Sequence, residues 1–276
     1  MRLAHRTVLK VSTIGAGRTA GPLVKEWRLR RARSQMDLAL DAGVSTRHLS
    51  FVETGRSKPS PELLLALSER LDIPLRERNM LLLAAGYAPQ YQETALADPA
   101  MARVREALGQ LLESHSPYPG VVIDRLWNSV LSNEPAWRII DGVPEELIGP
   151  PTNVFRVSLH PDGLAGRTRN FPEWSAYLLG QLRRLVLLTG DPEVVRLQEE
   201  VTAYPNIAAL GGRHHRPPAD DPALLIPWRL EVGGVLHSYF TTLTSFGTPQ
   251  DITLAELAIE LFYPADEATE AVLRNR

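Results

Sequence analysis

The residues best suited to do chemistry lie between Gln35 and Thr54. Two helical patterns meet there at Gly43, a residue that accepts the left-handed backbone of a tight helix stop. Leu38, Ala42, Val44, Leu49 and Val52 fall on a shared interior, with small Ala39 where the helices cross. That leaves Thr46, Arg47, Ser50, Phe51 and Thr54 outward on the second helix. Short polar groups and one arginine projecting from the N-terminal half of a helix are what a DNA major groove admits. The chemistry expected is recognition of base edges.

Other clusters offer less. His214-His215 with Asp220 and Asp221 hint at a metal, but adjacent histidines on an extended segment point apart and no further ligand recurs at useful spacing, so a polar loop is expected. No HxH with a downstream glutamate occurs. No G-x-S-x-G elbow occurs, and the GAG near residue 15 follows no convincing strand. Cysteine is absent from the 276 residues, which excludes disulfides, thiol nucleophiles and Cys-ligated zinc. No catalytic site, metal or cofactor is expected.

The elements that position these residues are closely punctuated. Pro22 suits the first turn of a helix running to about Arg33. Ser34 caps a second helix that stops at Gly43, and Ser45 a third that ends at Gly55. Ser60-Pro61 opens a fourth that ends between Asp72 and Pro74, and a fifth runs from Leu75 to Ala85. Residues 1–20 show no clean period and read as a flexible arm. Residues 21–88 form one all-α domain, and 87–98 a polar linker or the entry to a long helix. Residues 89–276 form a second domain of mixed type.

In that second domain a helix is expected from Asp98-Pro99 to Glu113, then two short strands, Gly120–Asp124 and Trp127–Leu131. Asn133 caps a helix through Ile140. Helices follow at Pro172–Thr189 and from Pro192 to Ala203. Strands Ala223–Val232 and Val235–Phe246 flank Gly233-Gly234, a hairpin signal. LAELAIELFYP satisfies both strand and helix patterns, and a last helix starts at Ala265. The fold class is α+β with an antiparallel sheet.

Charge divides the same way. Residues 1–90 hold 15 Lys and Arg against 8 Asp and Glu, while the remainder hold 15 against 24. Only the first part suits a polyanion. Hydrophobic residues make up 44% and charged residues 22%, a globular balance. No apolar run reaches the roughly 18–20 residues that span a bilayer, and the first twenty residues lack an apolar signal-peptide core. A soluble, cytoplasmic protein without a membrane partner is expected.

RSQMDLALDAGVSTRHLSFVETGRSKPS resembles the XRE-type helix-turn-helix of phage repressor relatives, over residues 22–86. The resemblance implies double-stranded DNA as partner and a phosphate contact by Gln35 from the start of the second helix. It places Thr46, Arg47 and Phe51 at base-reading positions beside Ser50, with His48 and Lys58 near the backbone. Arg47 can fork onto guanine and Phe51 can pack on a thymine methyl. Phe51 departs from the commoner polar choice there. Arg28 and Glu53 match a structural pair that holds the reading helix. Binding as a homodimer to two half-sites about 34 Å apart is the usual solution for such modules.

VVIDRLWNSVLSNEPAW, NVFRVSLHPDGLAGRTRNFPEWSAYLLGQLRRL and FGTPQDITLAELAIELFYPADEATEAVL are similar to the MmyB-like regulator C-terminal domain. That resemblance implies a PAS-like antiparallel sheet with flanking helices, an internal cavity and a fatty acid-like ligand. Trp127, Trp137, Phe155 and Phe240, with Val121, Ile123, Leu131, Trp174, Trp228, Leu230 and Phe262, suit the lining of such a cavity or equally a dry core. Asn133, Arg156 and His160 are candidate anchors for a carboxylate. An ion pair for Arg156 and a turn hydrogen bond for His160 are the competing structural roles. The function expected is a ligand-sensing transcription regulator. Its alternative is a DNA-bound scaffold whose C-terminal domain contacts a protein.

Overall fold

The computed structural model describes residues 19–211 and 225–275. The expected arm, apart from its last two residues, and the His214-His215 loop lie outside these. The chain divides into two compact units. One holds residues 19–95 together with Thr248–Ala255. The other holds the described residues between Leu96 and Gly247 and residues 256–275.

The first unit contains α1 (Ala20–Arg30), α2 (Gln35–Asp41), α3 (Thr46–Glu53), α4 (Pro61–Arg70) and α5 (Leu75–Ala84). Three of these start by one device. The hydroxyls of Ser34, Ser45 and Ser60 accept from the backbone N–H of Asp37, His48 and Leu63. Each such cap contributes about 1 kcal/mol. Helix α1 begins two residues before Pro22, so the proline is its third residue. The lost N–H there still belongs to the first turn, where no helical acceptor exists. Ala32, with φ of 51°, then turns the chain out of the helix. Val24, Trp27, Leu38, Leu49, Leu64, Leu67 and Leu81 fill the core.

Helix α1 lies against α3 at Gly21. A Cβ there would stand 2.1 Å from the carbonyl oxygen of Val52, so the two backbones touch with no space for a side chain. Gly43, at φ of 68°, makes the sharp turn from α2 to α3.

The second unit opens with a 3-10 turn at Pro99–Met101 and α6 (Ala102–Ser114). Strands β1 (Gly120–Ile123) and β2 (Ser129–Ser132) follow, then α7 (Glu134–Ile139), α8 (Glu145–Ile148), α9 (Val154–Leu159), α10 (Phe171–Thr189), α11 (Pro192–Thr202) and α12 (Pro205–Ala208). The chain ends with β3 (Trp228–Val232), β4 (Val235–Ser245), α13 (Ile252–Glu256), β5 (Ala258–Pro264) and α14 (Glu267–Arg274). The strands form one antiparallel sheet in the order β2-β1-β5-β4-β3. Gly233 and Gly234 both have positive φ, as a two-residue hairpin turn requires.

The ambiguous LAELAIELFYP contains both structures, with the end of α13 followed by β5. Strand pairing fixes which side chains face inward. Val121 of β1 pairs with Ser132 on one side and Glu260 on the other, and Leu243 of β4 pairs with Glu260. Because side chains alternate along a strand, Glu260 and Phe262 share the face of Val121 and Ile123. That face is covered by buried residues of the helices, including Phe155, Trp174, Leu178 and Leu182.

Candidate functional site

Helix α3 presents two unlike sides. Leu49, Val52 and Glu53 are buried, whereas Thr46, Arg47 and Thr54 are exposed and His48, Ser50 and Phe51 are partly so. The Arg47 guanidinium lies 5.3 Å from the centre of the Phe51 ring, and that of Arg56 lies 5.9 Å from it. Phe51 is thus a platform for two cations, which an aromatic face attracts. Lys58 is exposed, with its ammonium 4.6 Å from the Tyr87 ring. The Ser50 carbonyl accepts from the Thr54 hydroxyl at 2.7 Å, which secures the last turn of α3.

Beneath this side sits a buried charge pair. Arg28 of α1 donates from Nε and Nη2 to the two oxygens of Glu53, at 2.6 and 2.9 Å, and from Nη1 to the Arg33 carbonyl. The carboxylate beside it raises the pKa of Arg28. Gln35 Nε2 also donates to Glu53, at 2.6 Å. One amide hydrogen is used in this way. Helices α1, α2 and α3 therefore meet at Glu53, and α3 is held by charge as well as by packing.

The second unit contains an apolar cavity, open to solvent on one side, with about 80 Å³ of free space. Its wall includes Val121, Trp137, Ile140, Val157, Trp174 and Trp228, with Phe262 on the sheet. Trp137 is 41% exposed. Of the eleven residues expected to line a cavity, Val121, Trp137, Trp174, Trp228 and Phe262 stand in this wall. Trp127, Phe155, Phe240 and the three expected anchors are placed elsewhere, each for a visible reason.

Trp127 and Phe155 pack together in the core with ring centres 4.6 Å apart. Phe240 lies on the other sheet face, stacked on Tyr263. Asn133 accepts from the N–H of Gly120 and Ala136 and donates to the carbonyls of Leu112 and Tyr118. A side-chain amide has two donors and two principal acceptor sites, so Asn133 has none to spare. It fastens α6, β1 and α7 together.

Arg156 forks onto Glu200 with two bonds of 2.7 Å, tying α9 to α11. The bond to Arg156 holds the Glu200 carboxyl below its ordinary pKa, and burial beside Glu200 pushes Tyr204 up to about 12. His160 Nδ1 accepts from the N–H of Asp162 at 3.1 Å, a turn contact. Both residues thus occupy their structural roles.

One polar residue of the cavity escaped the sequence reading. Glu260 is 4% exposed, and burial pushes its carboxyl up to about 7, opposed by a hydrogen bond from Thr241. Its signal is a lone acid on the apolar side of an alternating strand. That side is defined only once LAELAIELFYP is known to pair with β1 and β4. Among the described residues, no group of three His, Asp or Glu side chains is placed to hold a metal ion. Nor is any helix among them long and apolar enough to cross a membrane.

A model of the MmyB-like transcription regulator ligand binding domain matches residues 104–275, and a helix-turn-helix model matches residues 24–78. No match was found among curated proteins. The chain belongs to the MmyB-like transcription regulators, with a DNA-binding helix-turn-helix preceding a ligand-binding domain.

Proposed function

We propose that this regulator binds its operator as a homodimer in the cytoplasm and changes operator affinity when an aliphatic, fatty acid-like molecule enters the cavity. It performs no turnover. The observation that carries this reading is the apolar cavity itself, with three tryptophans in its wall. An apolar wall with few polar groups is the usual lining of a small-molecule site.

On the DNA side, Arg47, Ser50 and Phe51, with Thr46 at the first turn, are the groups that meet base edges. Gln35, His48 and Lys58 supply phosphate contacts. A connection between the two activities has a physical candidate. The chain between β4 and β5 clusters with the helical unit, where the Ile252 N–H donates to the Gln92 carbonyl at 2.8 Å. Asp251 Oδ2 accepts from the Thr94 N–H at 3.0 Å. Both strands joined by this connection belong to the ligand-binding sheet, and β5 carries Phe262 of the cavity wall. A ligand that favours one packing of these strands biases the segment and, through it, the dimer.

The test is operator affinity of the full chain with and without dodecanoic acid at fixed salt. A several-fold change supports the switch, and an unchanged affinity with the acid demonstrably bound removes it.

A further inference from the structure

The cavity is small for the molecule proposed to enter it. Its free space is about 80 Å³. An apolar cavity of about 150 Å³ takes one benzene, a molecule of six carbons. Dodecanoic acid has twelve, so part of the wall must move before such a chain is received.

Most of the wall is firmly held. Val121, Glu260 and Phe262 belong to strands paired on both sides. Trp174 and Leu178 are buried in α10, and Val157 and Ser158 in α9, which the Arg156–Glu200 fork ties to α11. Helix α7 differs. It supplies Ala136, Trp137 and Ile139 to the wall, yet only Ile139 of its residues is buried. An element with so little buried surface is the one that opens locally most readily.

Two fastenings keep α7 in place. At its start Asn133 caps it and bonds to α6 and β1. At its end Arg167 donates from Nη2 to the Ile139 carbonyl at 2.8 Å, and from Nη1 to the Asp141 carbonyl at 2.9 Å. The last carbonyls of a helix have no partner within it, and a charged donor makes the stronger kind of bond to them. Arg167 itself stands in the 3-10 turn Ala165–Arg167, next to Leu164 of the wall.

We propose that Arg167 is the latch of the cavity: its two bonds hold α7 in the narrow form, and a long-chain ligand enters as they break and α7 swings outward with Trp137. The proposal deepens the apolar-ligand reading above and rests on it. A ligand that needs the wide form binds with its affinity reduced by the fraction of molecules in that form. Weakening the latch raises this fraction. Loss of Arg167 therefore tightens binding, whereas loss of a merely structural residue would weaken it.

The test compares wild type, R167K and R167A as full chains. Dodecanoic acid, below its micelle concentration, is titrated by tryptophan fluorescence, and xenon by NMR. Xenon enters small apolar cavities without needing the wide form. R167A is expected to bind the acid at least about fivefold more tightly than the wild type, since more of it is already open. R167K should fall between them, because an ammonium replaces a planar fork. Xenon affinity should not rise. The sequence has no cysteine, so spin labels on R138C and R184C, both at exposed positions, report α7 against α10 without a background thiol. The distance between the labels should lengthen when the acid binds.

Unchanged or weaker acid binding by R167A, an equal gain for xenon, or a label distance that stays fixed in the acid-bound protein overturns the latch and leaves the cavity as a ligand site. Absence of acid binding by wild type and R167A alike removes the ligand reading and the latch with it. The labelled protein keeps Arg167, so a misfolded R167A does not shield the proposal.

Discussion

Glu53 is fully buried, at 0% side-chain exposure, and its two oxygens receive both nearby nitrogens of Arg28, itself only 7% exposed. The charge on α3 is thus neutralised from α1. Removing one partner leaves the other charge stranded. R28M is expected to destabilise the helical unit by about 3–5 kcal/mol, whereas R28M combined with E53L recovers most of that loss. Urea unfolding followed by far-UV circular dichroism measures both. A single variant as stable as the wild type would show that the pair contributes little.

Arg47 and Phe51 are expected to act as one unit at the DNA surface. The guanidinium lies over the ring, so truncating either side chain is expected to displace the other. R47A should weaken specific operator binding by about 1–3 kcal/mol and spare non-specific affinity more. F51A should produce part of this loss, and the double variant less than the sum of the two. Competition binding against random duplex at fixed salt separates these outcomes. Equal loss on every sequence would make Arg47 a phosphate contact instead.

Two glycines in helices should respond to alanine in opposite directions. A Cβ on Gly21 meets the Val52 carbonyl at 2.1 Å, and backbone on backbone cannot yield without moving α1 from α3. G21A is expected to cost about 1–3 kcal/mol by overpacking and to weaken operator binding as α3 shifts. Gly180 is exposed in the middle of α10, and a Cβ there meets nothing within 4 Å. G180A should stabilise the second unit by about 0.5–1 kcal/mol, because alanine loses less backbone freedom in a helix. Thermal melts of both variants test the pair.

The contrast between the units explains what was legible in the sequence. Helices α2, α3 and α4 each carry a serine cap, and the first two a glycine stop close behind, so local chemistry marks their bounds. The outward residues of α3 follow from its period. The Arg28–Glu53 pair joins residues 25 positions apart, and the helix-turn-helix resemblance supplied it.

The second unit depends on distant partners. β5 is a strand because β1 and β4 flank it, and only that pairing turns Glu260 inward. Asn133 serves as a cap legible from sequence, yet its bond to Leu112 comes from 21 residues away. Helix α9, with six residues, is too short to display a period. Arg156 and His160 are ordinary ligand-anchor types, and only the positions of Glu200 and Asp162 reveal that they are engaged.

Glu260 should make stability depend on pH in an unusual direction. Its carboxyl titrates near 7 in the folded chain against an ordinary value of 4.5, so folding takes up a proton between those limits. Stability then falls as pH rises from 4.5 toward 7, by up to about 1.4 kcal/mol per pH unit, and levels off beyond. E260Q, which cannot ionise, should remove this component. Melts at about pH 5 and about pH 8, compared between wild type and variant, measure it. An identical pH dependence in the two proteins would mean that another group carries it.

Asp251 offers the sharpest test of how a filled cavity reaches the operator. Its Oδ2 accepts from the Thr94 N–H, while its Oδ1 accepts from the N–H of Thr253 and starts the turn into α13. D251N keeps oxygen at one position and loses charge, whereas D251A removes both acceptors. Asp251 is part of neither α3 nor the cavity wall, so binding to each partner should persist in D251A. What should shrink is the coupling: the ratio of operator affinities with and without dodecanoic acid should fall toward one. D251N is expected to lie between D251A and the wild type. Coupling is reciprocal, so acid affinity measured with and without operator must narrow by the same factor. A D251A protein that keeps the full ratio in both directions would place the path elsewhere in the chain.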